Sequence, residues 1–224
     1  MGIVDGLLEL LYPTRCAGCD LPGTLLCDDC RAALPRIAPA RACPRCGAPF
    51  GWLVCTECWD RELEFDAGLC VGSLEHPLSR AVTMYKDGGE RRLSALLADL
   101  IAETIEPWHE WPDMVAYVPA TANAQRRRGF DHARDVSSEL AARLRIPLGS
   151  PLTRERARDQ RVLGRGERFE NARGTFAVTV DRLPPHVLLV DDVLTTGATL
   201  DAAAAALKAA GAREVRVAAI ARAW

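Results

Sequence analysis

Four consecutive apolar residues, Val187 to Val190, run directly into the acidic pair Asp191-Asp192 and then into Val193-Leu194-Thr195-Thr196-Gly197-Ala198-Thr199-Leu200. An unbroken apolar run of this kind suits a strand buried on both faces of a parallel sheet, with the acids where it ends. The segment from Asp201 to Ala210 is rich in alanine and predicts a helix. Strand, small-residue loop and helix N-terminus in that order present backbone N–H groups to an anion such as a phosphate. The two carboxylates would repel that phosphate, so they suit the hydroxyls of an adjacent sugar or a magnesium ion. A phosphate cradle beside a diol grip describes a ribose 5-phosphate. An apolar strand ending in two acids also occurs in receiver domains, where it is the first strand of the fold. Here only Val193 to Trp224 follow, enough for one helix and one strand. The sugar-phosphate reading is the expectation preferred over that alternative.

Cysteine spacing is the second constraint. Eight of the nine cysteines fall in Cys-x-x-Cys pairs: Cys16/Cys19, Cys27/Cys30, Cys43/Cys46 and Cys55/Cys58. Each pair can put two thiolates on one side of a tight turn, and two pairs complete a tetrahedral zinc site. Sequential pairing gives Cys16, Cys19, Cys27 and Cys30 for one ion and Cys43, Cys46, Cys55 and Cys58 for another; crossed pairings remain open. Four thiolates leave no open coordination position, so the zinc is read as structural. Residues 1–62 then form an N-terminal module, its halves separated by a linker from Arg31 to Arg41, and residues 63–224 form the second domain. Gly2 to Tyr12 reads as a short amphipathic helix rather than a signal peptide, since it carries Asp5 and Glu9 and no basic leader. That absence argues for a reducing, cytoplasmic compartment over disulfides. Cys70, in an apolar run, reads as a packed small hydrophobe.

The remaining pattern alternates. Strands are predicted over Phe65–Leu74, Met114–Pro119, Phe176–Val180 and Glu214–Ala221, and helices over Ser79–Tyr85, Arg91–Ile105 and Asp131–Leu144. Alternation of this kind implies an α/β domain with a mostly parallel sheet flanked by helices, its ligand at the carboxyl ends of the strands. No stretch approaches a membrane span. A net charge of −2 excludes a global polycation. Cationic character is instead local, in two loops: Pro119 to Gly129, with Arg126-Arg127-Arg128, and Arg154 to Arg173, which includes Arg168. These are candidate lids over a pyrophosphate, whose charge they would neutralise as it departs. The chain has 26 arginines and two lysines. Lys208 reads as solvated, whereas Lys86, ahead of Asp87-Gly88-Gly89, is a candidate site residue. Among the histidines only His132, close to the triple arginine, stands out.

The Val187-to-Thr199 stretch resembles the phosphoribosyl pyrophosphate (PRPP) signature of type I phosphoribosyltransferases. With the cysteine pairs, the Lys86–Gly89 turn, Val118-Pro119, Arg128-Gly129-Phe130 and Arg154…Gln160…Arg168…Asn171, nearly the whole chain resembles the ComF family of competence proteins. Asp131 departs from the asparagine common at that position, so no binding role is carried onto it. The resemblance implies a type I phosphoribosyltransferase-like fold behind an N-terminal zinc ribbon, PRPP as ligand and a link to DNA uptake. On this reading Asp191 and Asp192 hold the ribose hydroxyls, and Thr195, Thr196, Gly197, Ala198 and Thr199 hold the 5-phosphate. Magnesium bridges the pyrophosphate, and Lys86, Arg126, Arg127, Arg128 and Arg168 neutralise it. The chain would bind magnesium-PRPP and transfer its phosphoribosyl group to an unassigned acceptor. The alternative is a non-catalytic DNA-uptake scaffold or sensor that binds single-stranded DNA and a helicase partner.

Overall fold

The computed structural model describes residues 13–49, 51–154 and 174–224. After a short helix α1 (Asp28–Ala32), its elements run β1 (Ala67–Ser73), α2 (Leu78–Lys86), α3 (Leu93–Thr104), β2 (Met114–Tyr117), α4 (Ala122–Arg128) and α5 (His132–Leu144). They continue with β3 (Leu152–Arg154), β4 (Phe176–Val178), β5 (His186–Leu194), α6 (Ala198–Ala209) and β6 (Glu214–Arg222). Four strands make one parallel sheet in the order β1-β6-β5-β2, while β3 and β4 pair antiparallel in a separate two-stranded hood.

Successive residues of a strand point to opposite faces, so apolar strands feed two cores at once. Leu188 and Val190 join Leu69, Val71, Val115 and Ile220 under α2, α3 and α5. Val187 and Leu189 join Cys70, Ala116, Val215 and Val217 under α6 and the hood. Helix α3 forms because Leu93, Leu97, Leu100 and Ile101 recur at helical spacing and are all buried. Burial also pushes the Cys70 thiol up to about 12, as befits a packed small side chain.

The cysteine module is bonded to this domain. Pro35 to Ile37 lies along the outer edge of β1: Ile37 N donates to Val71 O at 3.0 Å and Ser73 N to Pro35 O at 2.9 Å. Gly72 is required there, because a Cβ would stand 2.4 Å from Pro35 O. An edge that would otherwise expose unpaired backbone is thereby covered. Cys16, Ala17, Leu26 and Leu34 extend the α2–α3 core, whereas Ile37 and Ala42 extend the α6 core.

Several expectations need correction. Residues 119–129 hold a helix, α4, which Thr121 caps by accepting from Ala124 N and which Gly129 ends at φ 78°. It escapes a periodicity search because no residue of it is buried. Strand β5 continues through both aspartates to Leu194 instead of ending before them, because parallel pairing with β6 persists to Leu194–Arg222. Phe176–Val178 pairs with the unexpected β3, outside the main sheet. Lys208 is bound rather than solvated, its Nζ 2.9 Å from Asp66 Oδ1. The Gly2–Tyr12 helix and the loop from residue 155 to 173, with Arg168, lie outside the described residues. Among the described residues no helix is long and apolar enough to cross a membrane.

Candidate functional site

Strand β5 delivers the chain to Thr195-Thr196-Gly197, and α6 begins at once. Gly197, at φ 83°, makes the turn and brings no capping side chain. Among the described residues the local substitute is the Thr196 hydroxyl, which accepts from Ala198 N at 3.4 Å. An uncapped helix start carries partial positive charge on its first amides. A small cavity lies there, lined by Asp191, Val193, Leu194, Thr195, Gly197, Ala198, Thr199 and Leu200. A larger open depression between Asp181–Pro185 and Ala210–Arg213 sits at the amino ends of β5 and β6, the wrong end of the sheet for a strand-end ligand.

The two aspartates make different hydrogen bonds, but an oxygen of each and a ring nitrogen of His132 lie within 4.8 Å of one another. Asp192 turns toward α2 and α5. Its Oδ1 accepts from Val193 N at 2.7 Å, while Oδ2 meets the Lys86 ammonium and, at 2.9 Å, His132 Nε2. Burial opposes its charge, yet the His132 hydrogen bond and the Lys86 cation hold the carboxyl well below the usual carboxylate range. Arg128 Nη1 stands 3.3 Å from His132 Nδ1. A guanidinium only donates, so Nδ1 accepts and the proton of a neutral ring sits on Nε2, facing Asp192. Asp191 lines the cavity at the start of α6 while staying beside Asp192 and His132. Burial pushes its carboxyl up to about 8, the Asp192 charge adds to that, and Lys86 and Arg154 oppose it. Asp191 is thus the costly charge of the pair, held where no ion pair neutralises it among the described residues.

Along the sequence, Arg154 stands out only as part of a motif. The structure puts it at the end of β3, its guanidinium 5.3 Å from the Phe176 ring centre and near enough to Asp191 to favour that carboxylate. Among the described residues its Nε is buried without a hydrogen-bond partner. Of the expected pyrophosphate residues, Lys86 reaches the acidic pair. Arg128 is spent on Asp87 Oδ1 at 3.0 Å and on His132, and Arg126 and Arg127 stand on the exposed side of α4. Asp131 serves the fold, capping α5 through Arg134 N at 3.2 Å and holding Ala120 N at 3.0 Å.

All nine cysteines are free thiols, and eight form two clusters, Cys16/Cys19/Cys27/Cys30 and Cys43/Cys46/Cys55/Cys58. The pairing is sequential. Sulfur–sulfur separations of 3.6 Å recur within both, close to the roughly 3.8 Å edge of a tetrahedron with zinc–sulfur bonds of about 2.3 Å. Backbone N–H groups of Gly18 and Cys27 point at Cys16, and that of Cys55 at Cys43. Burial opposes a charge on Cys16, but these amides and that of Cys19 pull its thiol down to about 6. A hydrogen bond from Cys58 does most to bring Cys46 down to about 5, with Arg222 assisting. Both clusters fit closed structural zinc centres.

Residues 126–223 match the phosphoribosyl transferase domain family, and residues 7–59 match the double zinc ribbon domain family. The chain is 30% identical over 222 residues to the DNA utilization protein YhgH of Salmonella typhi, covering 93% of this chain and 96% of that protein. It is 29% identical over 210 residues to competence protein F of Haemophilus influenzae, covering 88% and 90%. Competence protein ComFC of Streptococcus pneumoniae is 25% identical over 193 residues, covering 85% and 84%. Parallel sheet, strand-end loop and cysteine clusters together define a phosphoribosyltransferase-domain protein preceded by a double zinc ribbon. The chain belongs to the ComF/YhgH family of competence and DNA utilization proteins.

Proposed function

We propose that the chain binds magnesium-PRPP at the carboxyl end of β5 and transfers or senses its phosphoribosyl group. The carrying observation is the cavity in which the uncapped start of α6 and the Asp191 carboxylate face one small space. The amides of Thr195 to Thr199 would hold the 5-phosphate, and Asp191 would accept from a ribose hydroxyl. Asp192 is occupied by Lys86 and His132. A pyrophosphate that drew Lys86 away would free Asp192 for the second hydroxyl, so sugar and pyrophosphate would bind together. Arg154 is the further cation placed to meet the anion. Magnesium carried by PRPP would supply electrostatic stabilisation of the departing pyrophosphate, and Asp191, which no ion pair engages among the described residues, would be the carboxylate to touch it. Calorimetry with PRPP and magnesium tests the reading: saturable binding that Asp191→Ala abolishes supports it, and heat unchanged by the substitution removes it.

A second reading, a non-catalytic DNA-uptake component, is favoured by one observation. Trp52 and Trp59, 74% and 79% exposed, stand on the second ribbon, where bases could stack on them. Oligothymidylate should then quench tryptophan fluorescence at low salt and lose the effect as salt rises. No quenching at low salt would end that reading.

A further inference from the structure

Arg222, the last residue of β6, is 2% exposed, a rare condition for a side chain that cannot shed its charge. Its guanidinium bridges the second cysteine cluster and the loop after β5. Nη1 donates to Leu194 O at 3.1 Å, to Thr195 O at 2.5 Å and to Ala223 O. Nη2 reaches Glu57 Oε2 at 3.3 Å and Cys46 Sγ at 3.9 Å. Thr195 opens the candidate phosphate loop. Cys46 belongs to the second cysteine cluster, and Glu57 lies between its other members Cys55 and Cys58.

The chain leaving that cluster is tied to the same loop. Glu64 N donates to Asp201 Oδ1 at 2.7 Å, in the first turn of α6. Phe65 lies under Gly197, its ring carbons 3.7 Å from where a Cβ would be. The first cluster is anchored elsewhere: Arg80 on α2 donates to Cys16 O at 3.0 Å and pairs with Asp20 at 2.8 Å. Four thiolates on one divalent ion carry net negative charge, which a buried guanidinium neutralises. Losing the ion would leave Arg222 with fewer fixed partners on one side while its other nitrogen still holds the loop carbonyls.

We infer that Arg222 makes the second zinc centre a conformational support for the Thr195–Thr199 loop, so that metal in this centre, and not in the first, sets the loop's readiness to bind an anion. The anion-binding half rests on the functional reading above; the mechanical half does not. Arg222 is a positioning residue here, since it would touch the loop and not the ligand.

Amide hydrogen exchange across Thr195–Thr199, measured on the full zinc-loaded chain beside PRPP calorimetry, separates the two halves. Arg222→Lys keeps the charge and loses the fork. It should retain both zinc ions, speed exchange in the loop about tenfold and weaken PRPP by a similar factor, the size of one lost charge-assisted bond. Glu57→Gln should act in the same direction, and so should Cys58→Ser, which removes the second ion. Arg80→Lys, the matched change at the first centre, should leave loop exchange as in the parent chain. Loop exchange unchanged by Arg222→Lys and Glu57→Gln, or equally raised by Arg80→Lys, would overturn the inference. Should the parent chain fail to bind PRPP while exchange follows the expected pattern, the functional reading falls and the mechanical link stands.

Discussion

Replacing Asp191 by asparagine should make the protein more stable and less able to bind its ligand. The amide keeps the shape of the carboxyl and can still accept from Asp192 N, a bond of 2.9 Å in the parent chain. What it removes is a charge that burial and the neighbouring Asp192 both oppose. An unfolded aspartate titrates near 3.9, whereas Asp191 is pushed up to about 8. With the folded value raised, stability is fully present below about pH 4 and is lost as pH rises toward pH 8. The full shift at about 1.4 kcal/mol per unit sets a ceiling of roughly 6 kcal/mol. Asp191 keeps some contact with water, so a stabilisation of about 1–3 kcal/mol at pH 8 is expected for Asp191→Asn. Urea midpoints for the two proteins between pH 5.5 and 8.5 give the answer, because zinc-linked effects are common to both. The gap should widen with pH in favour of the variant. A gap independent of pH, or a parent chain more stable at pH 8, would refute the idea that this carboxylate is held at a cost for binding.

Asp192→Asn should do the opposite. It leaves the Lys86 ammonium and His132 without their buried carboxylate and should cost about 2–4 kcal/mol at pH 7, measured by urea unfolding. Since the folded Asp192 is shifted down, its contribution is present above about pH 4 and is lost as pH falls through the folded value. Gly72→Ala should force the ribbon linker from the edge of β1, costing about 1–3 kcal/mol in thermal or chemical unfolding. Metal analysis should find zinc in both four-cysteine centres, and chelation should open the Arg31–Arg41 linker to trypsin.

What the sequence discloses and what it hides follow a physical line. Val187–Val190 and the alanines of α6 advertise their structure locally, and the Cys-x-x-Cys spacing carries its own geometry. The polar α4 has no apolar stripe and could be found only from its punctuation, Thr121 ahead of it and Gly129 behind. Strand β3 is three residues long, too short for alternation to register. The contacts that decide the site's chemistry are remote in sequence. Lys86 and His132 reach Asp192 from helices packed on one face of the sheet, and Arg154 faces Asp191 from the hood on the other. Two adjacent acids read as an equivalent pair along the chain, but only Asp192 is paired with Lys86 and His132, so burial raises one carboxyl while its partners lower the other. Arg222 looks like the polar end of a strand until the fold closes a zinc ribbon over it.

Whether the start of α6 holds a sugar phosphate is the central question. Backbone amide shifts in a nitrogen-15 spectrum, followed while ribose 5-phosphate and then magnesium-PRPP are added, address it directly. The expected result is saturable shifts at Thr195 to Thr199, with PRPP additionally perturbing Lys86 and Asp192 as that ion pair opens. Shifts confined to other surfaces, or none at millimolar ligand, would contradict it.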